Sequence, residues 1–233
     1  MAERRRWRPQ MTDQERVRGL VFFALYFLVF RALKLFVEWA ADHYFELYLS
    51  EAMSAAVYYI IIGILTVIVF WSFLRNAVDI LLDFLPENLL AFGTGLVGAL
   101  VLEFLVKRIP LPVVDPAPAS WQEQFAYSPA ATVVVLVILM PLIEEVLFRG
   151  LMFGTLRRYS RVMAWIVSGL LFIIYCVWPF AVTEGSVRYL LLAIQYVPAA
   201  AALTWCYDRG GSIWSSVALH AALDAIALFR ALH

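Results

Sequence analysis

The sequence predicts an all-α, polytopic membrane protein, a bundle of about seven or eight transmembrane helices around a cytoplasm-facing polar cavity. Three observations carry that expectation. Of 233 residues, 64% are hydrophobic and 15% charged, against roughly 45–50% apolar in a soluble domain. The apolar residues run continuously instead of alternating, which favours helices over a β-barrel. Ionisable residues near mid-depth cluster in only two of those runs. A soluble globule of this length has too little interior to hide so much apolar surface. Disorder fails on the same ground, and 18 basic against 18 acidic residues give nucleic acid nothing to bind. Cys176 and Cys206 both lie in apolar runs and suggest no disulfide framework.

A hydrocarbon core of about 30 Å needs roughly 20 helical residues to cross it. Runs of that length fall at 18–36, 55–74, 89–106, 129–156, 162–180, 189–207 and 212–229. The first opens on basic residues, as a signal peptide would. Arg31, Lys34 and Glu38 follow its apolar stretch, however, and no small-residue cleavage site closes it, so it reads as a retained, partly amphipathic helix. The Pro-rich stretch 110–118, continuing through Trp121 and Phe125, is too apolar for a plain linker and reads as a segment on the membrane surface. The chain thus divides into variable membrane helices with the Pro-rich loop (1–128) and a core carrying the polar clusters (129–233). Counting Lys and Arg orients it. An N-terminus inside puts Arg4, Arg5, Arg6, Arg8, Arg16, Arg18, Arg75, Arg157, Arg158, Arg161 and Arg209 on the cytoplasmic side, and Lys107, Arg108, Arg188 and Arg230 outside.

An ionisable group in the bilayer interior costs several kcal/mol, so it marks a site. The 129–156 run holds Glu144, Glu145 and Arg149; the last holds His220 and Asp224. Glu145 and Arg149, four residues apart, share a helix face and can pair. Glu144 points about 100° away, toward a cavity or another helix. His220 and Asp224 share a face that Ser216 extends, as Ser168, Phe172 and Cys176 do in the 162–180 run. At 1.5 Å per residue, Glu144, Cys176 and Asp224 lie about 20 Å from the cytoplasmic ends of their helices and His220 about 12 Å, so one slab of membrane holds them all. Paired ions and a His–Asp bond can serve helix packing alone. Glu144, however, has no cation left in its own helix, and carboxylate, imidazole and buried water are the minimum set for general-base hydrolysis.

At these residues the sequence resembles the CAAX protease and bacteriocin-processing family of intramembrane peptidases, also called the Abi family. Its E-E-x-x-x-R motif is matched by Glu144, Glu145 and Arg149, with the Phe-Arg-Gly ending. Its H-x-x-x-N/D motif is matched by His220 and Asp224, after the lead-in Gly211-Ser-Ile-Trp214. The resemblance covers roughly residues 129–229. The middle motif, F-x-x-x-H, has Phe172 at its Phe and Cys176 where the His belongs. A thiol is a weak hydrogen-bonding group, so the departure bears on activity.

The resemblance implies a glutamate-dependent hydrolase that cuts peptide bonds near a membrane-embedded substrate. Glu144 would be the base on water, Glu145 and Arg149 would set its charge environment, and His220 with Asp224 would stabilise the oxyanion. Implied substrates are membrane-associated peptides or proteins: prenylated CAAX tails, bacteriocin leaders, signal-peptide remnants or pheromones. The implied location is a prokaryotic cytoplasmic membrane, with the lipid bilayer as surroundings and no nucleic-acid partner. No cofactor is expected. Zinc is the alternative, since Glu, His, Asp and Cys can all ligate it, although no tight spacing such as H-E-x-x-H occurs. Two further readings stay open: a pseudo-protease acting as membrane scaffold or immunity protein, and a proton-coupled transporter, for which no broken-helix pair or inverted repeat is visible.

Overall fold

The computed structural model describes residues 10–28, 36, 39, 40, 43, 44 and 51–233. Among them there is no strand, and nine helical elements follow one another. They are α1 (Asp13–Leu28), α2 (Glu51–Val69), α3 (Trp71–Asp83), α4 (Leu85–Val106), α5 (Ala117–Tyr127), α6 (Pro129–Leu156), α7 (Arg161–Thr183), α8 (Val187–Gly210) and α9 (Ile213–Leu232). Six are long and apolar enough to cross a membrane: α4, α6, α7, α8, α9 and the stretch Ala52–Val69 of α2. The protein is a polytopic all-α membrane bundle.

Local chemistry accounts for where these helices depart from the runs in the sequence. The expected 55–74 span breaks at Phe70, whose backbone leaves the helical region (φ −111°, ψ 25°). Arg75, Asp79 and Asp83 then give α3 a polar face, while Phe73, Leu74 and Ala77 are buried on the other. The helix expected over 18–36 begins earlier, at Asp13, where the Thr12 hydroxyl accepts from Glu15 N–H (3.2 Å) as an N-cap does. Residues 29–35, in the later part of that expected span, lie outside the described residues. The apolar stretch past the Pro-rich loop is helix α5. The 189–207 run opens on a 3₁₀ turn, Val187–Leu192, before its α-helix.

Helix α6 is not a plain α-helix. Two π-helical stretches, Val134–Leu139 and Val146–Phe153, flank the short α-helical stretch Met140–Glu145. Met140 N–H bonds the Val135 carbonyl five residues back, just before Pro141, which has no N–H to offer. In the second stretch the Phe148 carbonyl accepts from the Ser168 hydroxyl of α7 at 2.8 Å.

The spans alternate in direction, so their ends sort onto two faces. One is rich in arginine. Here Asp208 at the end of α8 receives Arg157 (3.1 Å) and Arg161 (2.6 Å) from either side of the α6–α7 turn. Gln10 donates to the Gly211 carbonyl (2.6 Å), and Arg158 reaches Asp13 (3.6 Å). Gly211 itself has φ +87°, the left-handed residue that ends α8. Helix α3 lies against this face: Ser212 donates to the Ala77 carbonyl (2.7 Å) and the Trp214 indole to the Leu74 carbonyl (3.1 Å). The buried Glu15 carboxylate accepts from Phe73 N–H at 2.9 Å. Phe70, Phe73, Phe148, Leu151 and Phe153 are fully buried behind it. At the opposite face Arg230 meets Glu103 at 3.0 Å, and Gln122 of α5 donates to the Ala231 carbonyl.

Candidate active site

Helix α6 supplies adjacent carboxylates, and the packing gives them unlike surroundings. Glu145 is fully buried and saturated. Its Oε1 accepts from Arg149 Nη1 at 2.7 Å and from His220 Nδ1 at 2.9 Å; its Oε2 accepts from the Ser216 hydroxyl at 2.5 Å. Because Glu145, already paired to a guanidinium, can only accept, Nδ1 carries the imidazole proton in this bond. Arg149 is fully buried too. Its guanidinium lies 4.1 Å from the Phe172 ring centroid and reaches the Ala200 carbonyl at 3.4 Å. The expected i,i+4 pair is therefore one edge of a network joining α6, α7, α8 and α9.

Glu144 is buried and nearly alone. Its Oε2 lies 3.9 Å from His220 Nε2, beyond hydrogen-bond length, and its Oε1 has no partner among the described residues. The same Nε2 lies 3.5 Å from Asp224 Oδ2. His220 is thus held through Nδ1 and turns Nε2 toward two carboxylates. Its ring meets Phe172 edge-on at 5.6 Å, and Cys176 follows Phe172 by one helical turn as a half-buried free thiol. The structure brings Glu144, Glu145, Arg149, Phe172, His220 and Asp224 into one chain of contacts, with Cys176 on its α7 edge. No group of three or more His, Cys, Asp and Glu side chains among the described residues is arranged to hold a metal ion.

Two cavities adjoin the cluster. An aromatic one of about 320 Å³ is lined by Tyr26, Tyr58, Tyr59, Tyr175 and Trp178, and by Met140, one turn before Glu144. A charged one of about 350 Å³ is lined by Glu103, Lys107, Asp115 and Arg230, and reaches Asp224. Trp121 of α5 lines both. In the loop before α5, burial holds the Asp115 carboxyl above its ordinary range, against the bonds it accepts from Ala117 N–H (2.9 Å) and the Tyr196 hydroxyl.

Sequence reasoning named Ser216 only as the continuation of a stripe, and it anchors Glu145. It overlooked Tyr26 and Tyr175, whose hydroxyls are hydrogen-bonded to each other across α1 and α7. The position of Tyr175 beside Cys176 was the available signal. Both cavities lie in the half of the bundle away from the arginine-rich face, where α7 continues only seven residues past Cys176 and α9 only eight past Asp224.

No curated protein and no solved structure matches the chain. A protein-family match does exist, to a protease family, and it runs from residue 126 to residue 226. Every member of the buried cluster falls within those limits. The segment that holds the site, residues 126–226, is similar to the family described as Type II CAAX prenyl endopeptidase Rce1-like.

Proposed function

We propose that this protein is an intramembrane endopeptidase that hydrolyses a peptide bond close to the membrane-embedded part of its substrate, with Glu144 as the general base. The observation that carries the reading is the buried, unpartnered Oε1 of Glu144 beside an imidazole oriented by a second carboxylate. A buried polar atom without a partner is costly, and it is tolerated where a water or substrate will supply the bond. Glu144 takes a proton from water, and the hydroxide adds to the scissile carbonyl carbon. The tetrahedral oxyanion is held by Nε2–H of the doubly protonated His220 ring, which is anchored through Nδ1 to Glu145. Glu144 then passes its proton to the amine nitrogen as the C–N bond breaks. Glu145, Arg149 and Ser216 position the imidazole without touching substrate. The reaction needs no metal-bound water. Loss of activity on chelation would argue against this metal-free route.

A second reading rests on Cys176, which stands where the resemblance expects an imidazole. Without that group the chain would be a catalytically impaired scaffold or immunity protein that keeps the fold and cavities. The deciding measurement is cleavage of a membrane-anchored fluorogenic peptide by purified protein in detergent, native against Glu144→Gln. A positioned base contributes about 10²–10⁴-fold, so the variant should fall by that factor. Turnover that survives Glu144→Gln rules out the glutamate mechanism, and no turnover in either protein favours the scaffold.

A further inference from the structure

The floor of the bundle and the positions of its cavities say which side of the membrane serves the site. On the arginine-rich face, α3 closes the bundle. Its Phe73 ring is so tightly seated that a Cβ on Gly150 would fall 2.8 Å from it, and Phe70 stands 2.6 Å from where a Cβ on Gly19 would be. Ser212, Trp214 and Glu15 fasten the same helix by hydrogen bonds. The aromatic and charged cavities, by contrast, are lined from the opposite ends of the helices and share the Trp121 wall of α5.

Charge then orients the molecule. The described residues place Arg16, Arg75, Arg157, Arg158, Arg161 and Arg209 on or beside the closed face, and the sequence puts Arg4, Arg5, Arg6 and Arg8 just before Gln10. Lys107, Arg108, Arg188 and Arg230 lie at the other end. Short loops rich in Lys and Arg stay in the cytoplasm, and Asp or Glu contribute little to that choice.

We infer that the site is served from the extracytoplasmic face: the substrate is a membrane-anchored peptide whose cleavable, polar end lies on the outer side of the bilayer, entering beneath α5. This rests on the endopeptidase reading for its chemistry, while the sidedness stands on the fold and the charge count. The peptide enters past Trp121 and meets Glu144 from the half of the membrane where α7 and α9 are shortest beyond the cluster. Substrates made and kept in the cytoplasm would meet the closed face.

The test is sided thiol labelling of the full chain in the plasma membrane of a bacterial host, in a Cys176→Ala, Cys206→Ala background. Tyr159→Cys reports the arginine-rich face, and Val187→Cys and Val114→Cys report the other; all three positions are strongly exposed. Trp121→Cys reports the shared cavity wall. A membrane-impermeant maleimide on intact spheroplasts should label Val187→Cys, Val114→Cys and Trp121→Cys and leave Tyr159→Cys unlabelled until the membrane is inverted. The reverse pattern, or equal labelling from both sides, overturns the inference. Trp121→Cys that reacts from the Tyr159 side, or from neither, overturns the access route. Peptide cleavage absent from both vesicle orientations counts against the endopeptidase reading and leaves the labelling result standing.

Discussion

Glu144 and Glu145 are neighbours in sequence and opposites in function because the helix turns them about 100° apart into different company. Glu145 is bound on both oxygens; Glu144 keeps one oxygen for something absent from the chain. Removing Arg149 would leave a buried carboxylate without its cation, which typically costs about 3–5 kcal/mol. Arg149→Ala should therefore lower the melting temperature in detergent and the folded yield sharply. Glu144→Gln, which keeps the side chain's shape and breaks no hydrogen bond of the fold, should melt at or above the parent. Equal melting of Arg149→Ala and parent would contradict the network. Cys176 supplies the second comparison. If the thiol merely weakens a glutamate peptidase, Cys176→His should raise turnover by up to about 10²–10⁴-fold, because an imidazole there adds a water-orienting group. If the chemistry has been rebuilt around sulfur, Cys176→Ser should abolish activity and Cys176→His should not help. One cleavage time course on the three proteins, with Glu144→Gln as blank, reads both.

Helix α6 determines what those residues can reach, and its irregularity was not legible in the sequence. The 129–156 run reads as a regular span because its residues are apolar throughout. One irregularity is local and one tertiary: Pro141 withholds a donor, and Ser168 of α7 draws on the Phe148 carbonyl, a contact that periodicity does not reveal. The faces the sequence assigned to Glu145 with Arg149, and to His220 with Asp224, needed only helical periodicity, and those pairs meet at 2.7 and 3.5 Å. What periodicity cannot give is contact between helices, so Ser216 on Glu145 and Phe172 under Arg149 required the fold. Gly150, next after Arg149, packs directly against Phe73 of α3. An alanine methyl there would collide with the Phe73 ring at 2.8 Å and meet Met11 at 3.1 Å, and both residues are buried. Gly150→Ala should cost about 1–3 kcal/mol through overpacking, seen as a lower melting temperature. An unchanged value would mean α3 sits more loosely than its contacts indicate.

At the scale of the whole molecule, composition alone told that the protein lives in a membrane, and the motifs told which helices hold the site. The sequence did not tell that the preceding helices complete it. Their residues looked variable and carried no motif, so they read as an appendage. In the fold they form the closed floor and one long wall. Asn88, Ala91, Gly95 and Ala99 of α4 form the buried side of that helix, and the Cβ that Gly95 lacks would lie 2.8 Å from Leu219 of α9. Asn88 accepts from Ser212 N–H at 3.3 Å, and Ser212 donates on to Ala77 at 2.7 Å, so the start of the His220 helix is held from outside the matched segment. Expressed alone, residues 129–233 would leave Phe148 without the Phe23 and Phe27 rings, Leu151 bare where Gly19 meets it, and Ser212 without Asn88 and Ala77. Lipid can cover apolar side chains, but it cannot bond the freed polar groups, and packing against partner helices is what holds membrane bundles together. The fragment should therefore elute as aggregate in size-exclusion chromatography. Co-expression with residues 1–128 should restore a monodisperse peak, because the cut falls at the α5–α6 junction and spares every span. A monodisperse fragment 129–233 on its own would mean that the floor is dispensable, and that the His220–Glu145 contact is set within the last four helices.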